Sequence, residues 1–448
     1  MEKTDIIKQV HDNEISLIRA VFMAPDGIIR AKAVTPYGLE SLLASGVGLT
    51  SAQTSITVFD TLPPQSAYQP VGELRIIPDP STFTILPYLQ GHARMLSDLM
   101  TIEGEPWELC PRGLLKRTLR KLHEYGLIIQ ASFENEFTLY EQQGNAWFPF
   151  GKTPSFSSES IDQSSDFILG VITALKNQGV YVEKFYPESA PGQFELPICH
   201  QPGLSAADQQ VVFRETLRGV ALAHKKRVSL MPKPATNWAG NGCHIHFSLW
   251  DNNNRNVLYD RTDDYELSLI GHQFIAGILD HLDGLLAFTA PTTNSYKRFV
   301  KHGWASCYRC WGPDNREASI RLASSFSHAP EKTLNLEYRA ADPTCNPYLA
   351  MAAVTLAGLS GIERKLELVP PVLSDPALLS LEERSKYRIS VYPSTLEEAL
   401  DSLEKDEYMT NAIGKNLTNE YLIMKRHEIE TINTLSGDAE IDTYRFLF

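Results

Sequence analysis

Two histidines stand two positions apart in the stretch NGCHIHFSLW, residues 241–250. In a β-strand such positions project to the same face, so His244 and His246 are expected to point together while Ile245 and Phe247 turn the other way. An isolated pair of this kind is more often a satisfied core pair than a ligand set, because His is commonly half-buried. Its company decides the matter. In IIQASFENEFTLY, Glu134 and Glu136 alternate with Phe133, Phe137 and Leu139. In YPESAPGQFELP, Glu188 precedes a Pro-Gly turn and Glu195 follows it, with Gln193 on the side of Glu195 if the segment is extended. In NLEYRAADPTCNPYL, Glu337 and Arg339 share one face, and Leu336 and Tyr338 the other. Taken singly, each of these reads as a solvated strand face or a charged turn.

Gathered from four strands, five glutamates and a histidine repel one another unless hard divalent cations neutralise them, and oxygen-rich ligation selects Mg²⁺ or Mn²⁺ over zinc or copper. Such ions complete their shells with phosphate oxygens and water, so a nucleotide is the expected companion. The phosphate-cradling pattern GxxxxGK[ST] is absent, which leaves phosphates to cationic side chains. Arg298, Arg316, Arg321, Lys332 and Arg339 supply them, and guanidinium forks suit phosphate and carboxylate alike.

The rest of the chain bounds the setting. With 448 residues, 43% of them hydrophobic, two domains are expected. The net charge of −13 argues against a nucleic-acid partner, which clustered Lys and Arg would hold. The first twenty residues break their apolar positions with charges and lack the apolar core of a signal peptide. The longest apolar run, residues 348–362, is too short for a membrane span and reads as a buried helix. A soluble cytoplasmic protein with reduced thiols is expected. Six scattered cysteines fit that setting, and the lone CxxC, Cys307 and Cys310, lacks the second ligand pair that zinc needs.

Position of the motifs follows from a coarse reading of the elements. The runs flanking the PDG turn in SLIRAVFMAPDGIIRAKAV predict a hairpin in a small N-terminal sheet. Pro and Gly punctuation at residues 103–113 predicts a boundary, giving domains 1–105 and 106–448, and LLKRTLRKLHEYG then predicts a basic amphipathic helix that stops at Gly126. Strands and helices alternate to about residue 362. Beyond it the pattern is helical, with a capping box of Ser394 and Glu397 and a last amphipathic helix in NEYLIMKRHEIETINTL.

In this order the motifs ENEF, ESAPGQFE, GNGCHIHFS, NSYKR, NREASIR and LEYRAADPTCNPYLAMAA, spanning about residues 106–362, resemble the glutamine synthetase superfamily, in its bacterial type I and glutamine-synthetase-like branch. The resemblance implies an α+β fold, with a small N-terminal beta-grasp domain and a catalytic domain of curved antiparallel sheet flanked by helices. It implies that Glu136, Glu188 and Glu195 hold the metal nearest the substrate carboxylate, and that Glu134, His244 and Glu337 hold the metal bridging the ATP phosphates. By the same carry-over His246 and Ser248 line the nucleotide site, and Arg316, Arg321 and Lys332 clamp the phosphates. Gly240, Arg298 and Arg339 bind glutamate, the two arginines also gripping the transferring phosphate. The implied chemistry is phosphorylation of the glutamate γ-carboxylate by ATP and attack of an amine on the acyl phosphate. The implied assembly is a homo-oligomer of stacked hexameric rings, a dodecamer.

This chain departs from that pattern where the amine must bind. Six positions after NSYKR, where the family has a flap glutamate, stands Trp304, and residues 46–55, which correspond to an aspartate-bearing family motif from the neighbouring subunit, contain no acid. A carboxylate about 4 Å from an ammonium contributes on the order of 4 kcal/mol at an effective dielectric near 20, against about 0.5–2 kcal/mol for a cation over an indole. An alkyl, polyamine or aryl amine would instead bury carbon against Trp304 at about 0.8 kcal/mol per methylene. An amine larger than ammonia is therefore expected. Ala239, where many synthetases have asparagine beside Gly240, leaves the acid substrate less firmly fixed. An ordinary glutamine synthetase with a rebuilt ammonium site, and a non-catalytic relative, stay open as alternatives. The apolar ending YRFLF is expected either to dock on a neighbouring subunit or to fray as a disordered tail, and residues 372–393 show no counterpart of the regulatory tyrosine loop.

Overall fold

The computed structural model describes residues 2–435 and 439–448. Near the N-terminus the strands Leu17–Met23 and Ile29–Val34 form the expected antiparallel hairpin. Its turn is made locally: Asp26 Oδ1 accepts from the Ile28 amide at 3.1 Å, and Gly27 takes φ +84°, which a side chain would resist. Leu17–Met23 then pairs in parallel with His92–Thr101, and Glu73–Pro78 and Val47–Thr50 extend the sheet beyond it. The helices Lys3–Asp12 and Leu39–Ser45 cover one face through Ile6, Val10, Leu39 and Leu42.

The catalytic region is an 11-stranded curled sheet built around one long strand, Ile128–Gln143. Across its centre the strands run Ala318–Ala323, Asn335–Tyr338, Cys243–Trp250, Ile128–Gln143 and Gln193–Pro197, each antiparallel to the next. The expected antiparallel sheet has one exception, because Tyr308–Pro313 lies parallel to Ala318–Ala323. Only four residues join those two strands, and the connection turns tightly through Asp314, which has φ 48°.

The apolar run at residues 348–362 lies within the helix Pro347–Arg364, every position of which is buried from Pro347 to Gly361. It packs along Leu269–Thr289 at backbone contact distance: a Cβ on Gly361 would stand 1.9 Å from the Gln273 carbonyl oxygen. Among the described residues no helix is long and apolar enough to cross a membrane.

Four expectations need correcting. The helix after the N-terminal sheet starts at Pro111, three residues before LLKR, because proline suits a first helical turn and Cys110 Sγ caps the Gly113 amide at 3.3 Å. The cap of Leu396–Lys405 sits one residue later than Ser394 and Glu397: Thr395 Oγ1 accepts from the Glu398 amide, and the Glu398 carboxylate accepts from Ser394. Beyond residue 362 the chain is not wholly helical, since Ser390–Val391 adds a strand to Tyr308–Pro313, and a further helix, Ala439–Tyr444, follows Lys415–Asn433. The C-terminal aromatics are buried in their own chain: Tyr444 and Phe448 join the cluster of Phe167, Phe194 and Val228, and Phe446 lies 3.8 Å from the Arg227 guanidinium. Apolar side chains that reach a core within the chain need no neighbour to cover them.

Candidate active site

Strand register assembles the acids. Glu134 lies opposite His244 and Glu136 opposite Glu195, while His246 lies opposite Glu337 and Glu337 opposite Arg321. Five neighbouring strands therefore present their polar faces to one place, as the two-residue periodicity requires. His244 Nδ1 stands 3.3 Å from a carboxylate oxygen of both Glu134 and Glu337. His246 Nε2 stands 3.5 Å and 3.7 Å from the same two carboxylates, and its Nδ1 faces Asn335 Oδ1 at 2.9 Å. Both histidines thus face the acids. The trio whose ligand atoms all lie within 4.8 Å of one another is Glu134, His246 and Glu337.

The electrostatics of the cluster are those of a cation site. Burial pushes Glu136 up to about 7, and pushes Glu195 up to about 10 with the charges of Glu134 and Glu136 adding to it. Burial likewise raises Glu188. Burial would also raise Glu134 and Glu337, but the adjacent imidazoles of His244 and His246 hold the first well below its ordinary range, and Arg339, His246, His244 and Arg321 bring the second to about 2. His244 itself is lowered to about 4 by burial and by Arg339, which keeps its imidazole neutral and able to donate a lone pair. His246 Nε2 is buried with no hydrogen-bond partner among the described residues. The neutral His244 imidazole and the converging carboxylates form a donor set that suits a hard divalent ion.

Beside the acids lies a buried cationic corner. Arg298 is 3% exposed, reaches His244 Nε2 at 3.2 Å, and leaves one guanidinium nitrogen buried without a hydrogen-bond partner among the described residues. Two glycines keep this corner open. A Cβ on Gly240 would meet Arg298 Cγ at 2.8 Å, and one on Gly242 would lie 2.7 Å from the Arg298 guanidinium and 2.8 Å from His244 Nε2. Gln193 Nε2 ties Glu136 to the Gly240 carbonyl at 3.0 and 2.9 Å. Arg339 is shared three ways: it pairs with Glu337, donates to the Arg316 carbonyl at 3.0 Å and donates to the Trp304 carbonyl at 2.8 Å.

One cleft opens on the acids, and a second is linked to them through Arg339, which bonds the Arg316 and Trp304 carbonyls. A cleft of about 310 Å³ is lined by Glu134, Lys184, His246, Ser248, Trp250 and Lys332. The other, of about 390 Å³, holds Trp304, Arg316 and Glu317. The phosphate-clamp candidates are accordingly divided: Lys332 lines the first cleft, Arg316 the second, and Arg321 is paired with Glu337.

Sequence comparisons agree with this geometry. A profile for the glutamine synthetase catalytic domain matches residues 108–444, and one for the glutamine synthetase N-terminal domain matches residues 1–107. The chain belongs to the glutamine synthetase family. It is 31% identical over 465 residues to the type-1 glutamine synthetase 1 of Dictyostelium discoideum, an alignment covering 98% of this chain and 91% of that one. It is also 31% identical over 426 residues to a gamma-glutamylpolyamine synthetase of Streptomyces coelicolor, covering 94% and 91%. The solved structure of GmaS with ADP superposes with a TM-score of 0.86 at 26% identity, covering 98% of this chain and 99% of that one.

As a glutamine synthetase family member the protein is an ATP-using ligase of glutamate with ammonia or an amine, and the family works with divalent cations. Sequence reading overlooked several side chains that complete the site. Tyr186 hydrogen-bonds Glu195 from the edge strand Tyr186–Pro187, and its place two residues before Glu188 was the available signal. Lys184, 3.6 Å from Glu134, has the same period. Asn241, fully buried and donating to Thr138 and to the Met231 carbonyl, fixes the loop ahead of His244, and nothing in its sequence context marks it.

Proposed function

We propose that this enzyme joins the γ-carboxyl of glutamate to an amine larger than ammonia, through a γ-glutamyl phosphate made from ATP. The observation that carries the reading is the double engagement of Arg339, which pairs with Glu337 in the acid cluster and also grips the carbonyl of Trp304. The residue that stands where the family has its flap carboxylate is thereby fixed beside the reacting centre, with its indole 70% exposed in the second cleft. The gamma-glutamylpolyamine synthetase among the relatives gives independent support for a large amine.

In this reading Glu136, Glu188 and Glu195 hold one Mg²⁺ or Mn²⁺, and Glu134, His244 and Glu337 hold a second, with His246 Nε2 a further donor within reach of the latter acids. Bound there, the cations would offset negative charge on the phosphates and on the transferring group. ATP occupies the cleft of His246, Ser248 and Lys332, with Arg321, paired to Glu337, on the phosphate side. Glutamate lies against Gly240 and Arg298, whose guanidinium nitrogen without a partner among the described residues donates to a carboxylate, and Arg339 steadies the phosphoryl group. The acyl phosphate must be kept from water, and the Trp304 segment, anchored by Arg339, is the cover. The domains divide near residue 105, and the working form is a cytoplasmic dodecamer of two hexameric rings.

Phosphate release from ATP with glutamate, measured across ammonia and a panel of mono-, di- and polyamines, tests the reading. Turnover with the larger amines supports it. Rapid turnover with ammonia alone assigns an ordinary glutamine synthetase, and silence with every amine assigns a non-catalytic relative.

A further inference from the structure

Trp304 cannot take a proton from an ammonium group, yet an acid stands directly behind it. Glu317 Oε1 accepts from the Trp304 amide at 2.7 Å, and Oε2 of the same carboxylate is buried with no hydrogen-bond partner among the described residues. Glu317 is 9% exposed and lines the cleft of about 390 Å³ into which the Trp304 indole projects, with His302, Asp314, Arg316 and Asp375. The neighbouring acids are already engaged: Asp375 pairs with His302 at 2.6 Å, and Asp314 accepts from the Ser324 amide at 3.1 Å. A buried carboxylate oxygen without a partner costs free energy unless a donor arrives.

We propose that Glu317 is the amine-binding carboxylate of this enzyme, pairing with the ammonium head of the substrate while its carbon chain lies on Trp304. This rests on the amine-ligase reading above and adds the residue that the substituted flap position lacks. The amine enters as R–NH₃⁺. Glu317 takes one proton, which frees the nitrogen lone pair. Nitrogen then bonds the γ-carbonyl carbon as the bond from that carbon to the phosphate oxygen breaks, and inorganic phosphate leaves with that electron pair. The second surplus proton on nitrogen departs with the phosphate, so the γ-glutamyl amide is neutral at nitrogen. Burial raises the Glu317 carboxyl above its ordinary value, in the direction a proton acceptor needs.

Hydroxylamine separates this role from a structural one, because it is uncharged at neutral pH and needs no carboxylate to free its lone pair. Glu317→Gln keeps an oxygen for the Trp304 amide but loses the charge. With ATP and glutamate, the variant is expected to form γ-glutamyl hydroxamate within about threefold of wild type, while kcat/KM for ethylamine or 1,4-diaminobutane falls by at least about 30-fold, the low end for truncating a buried charge pair. Glu317→Asp is expected to recover part of the amine activity. Unchanged amine kinetics in Glu317→Gln, or equal loss of hydroxamate and amine turnover, overturns the proposal. Absence of hydroxamate from the wild-type enzyme instead removes the ligase reading beneath it.

Discussion

Arg339 donates to the carbonyl oxygen of Trp304 at 2.8 Å while its other guanidinium arm pairs with Glu337. One side chain thus couples the acid cluster to the segment that lines the second cleft. Arg339→Lys keeps the charge and loses the fork. Each charged hydrogen bond lost is worth about 1.5–3 kcal/mol, so kcat/KM is expected to fall by about 10- to 150-fold. Steady-state kinetics with ATP, glutamate and the preferred amine check this.

Cation uptake should release protons. Burial raises Glu136 to about 7 and Glu195 to about 10, so near neutral pH these groups carry protons in the cation-free protein. Ligation requires their deprotonated forms. Affinity for Mn²⁺ is therefore expected to rise with pH between about 6 and 8 and to weaken as pH falls. Titration calorimetry in buffers of different ionisation enthalpy reads the released protons directly, and a heat independent of buffer would count against the assignment.

The chain's end stabilises its own subunit. Phe448 is 1% exposed in the cluster with Tyr444 and Phe194. Phe448→Ala is expected to cost about 3 kcal/mol or more, read as a lower denaturant midpoint, with the oligomeric state unchanged by size-exclusion chromatography.

Much of the site was legible because strand periodicity is a local rule. The alternation around Glu134, His244 and Glu337 is enough to predict that these side chains share a face, and the structure brings them within ligand distance. What the pattern could not separate is His244 from His246, since the same rule that aims both inward cannot say which nitrogen meets the acids. Arg316 was misplaced for a related reason: it precedes the strand Ala318–Ala323, and at that turn the side chain leaves for the second cleft while Arg321 stays with Glu337. Tertiary burial decided the tail. An apolar YRFLF reads the same whether it is covered by its own chain or another, and only the fold shows the cluster around Phe194 waiting for it.

Restoring an acid at the flap should restore some use of the smaller substrate. Trp304→Glu places a carboxylate on the backbone that Arg339 and Glu317 already hold. Partial recovery of ammonia turnover is expected, together with a higher KM for alkylamines as the indole surface is lost. Unchanged ammonia kinetics would contradict this view of the flap.

The most direct test is a competition. The wild-type enzyme is given ATP, Mg²⁺, glutamate and equal concentrations of ammonia and 1,4-diaminobutane, and the products are divided by mass spectrometry. The account predicts that the γ-glutamyl amide of the diamine exceeds glutamine by at least about tenfold, the value of roughly two buried methylenes. Glutamine as the main product would contradict it.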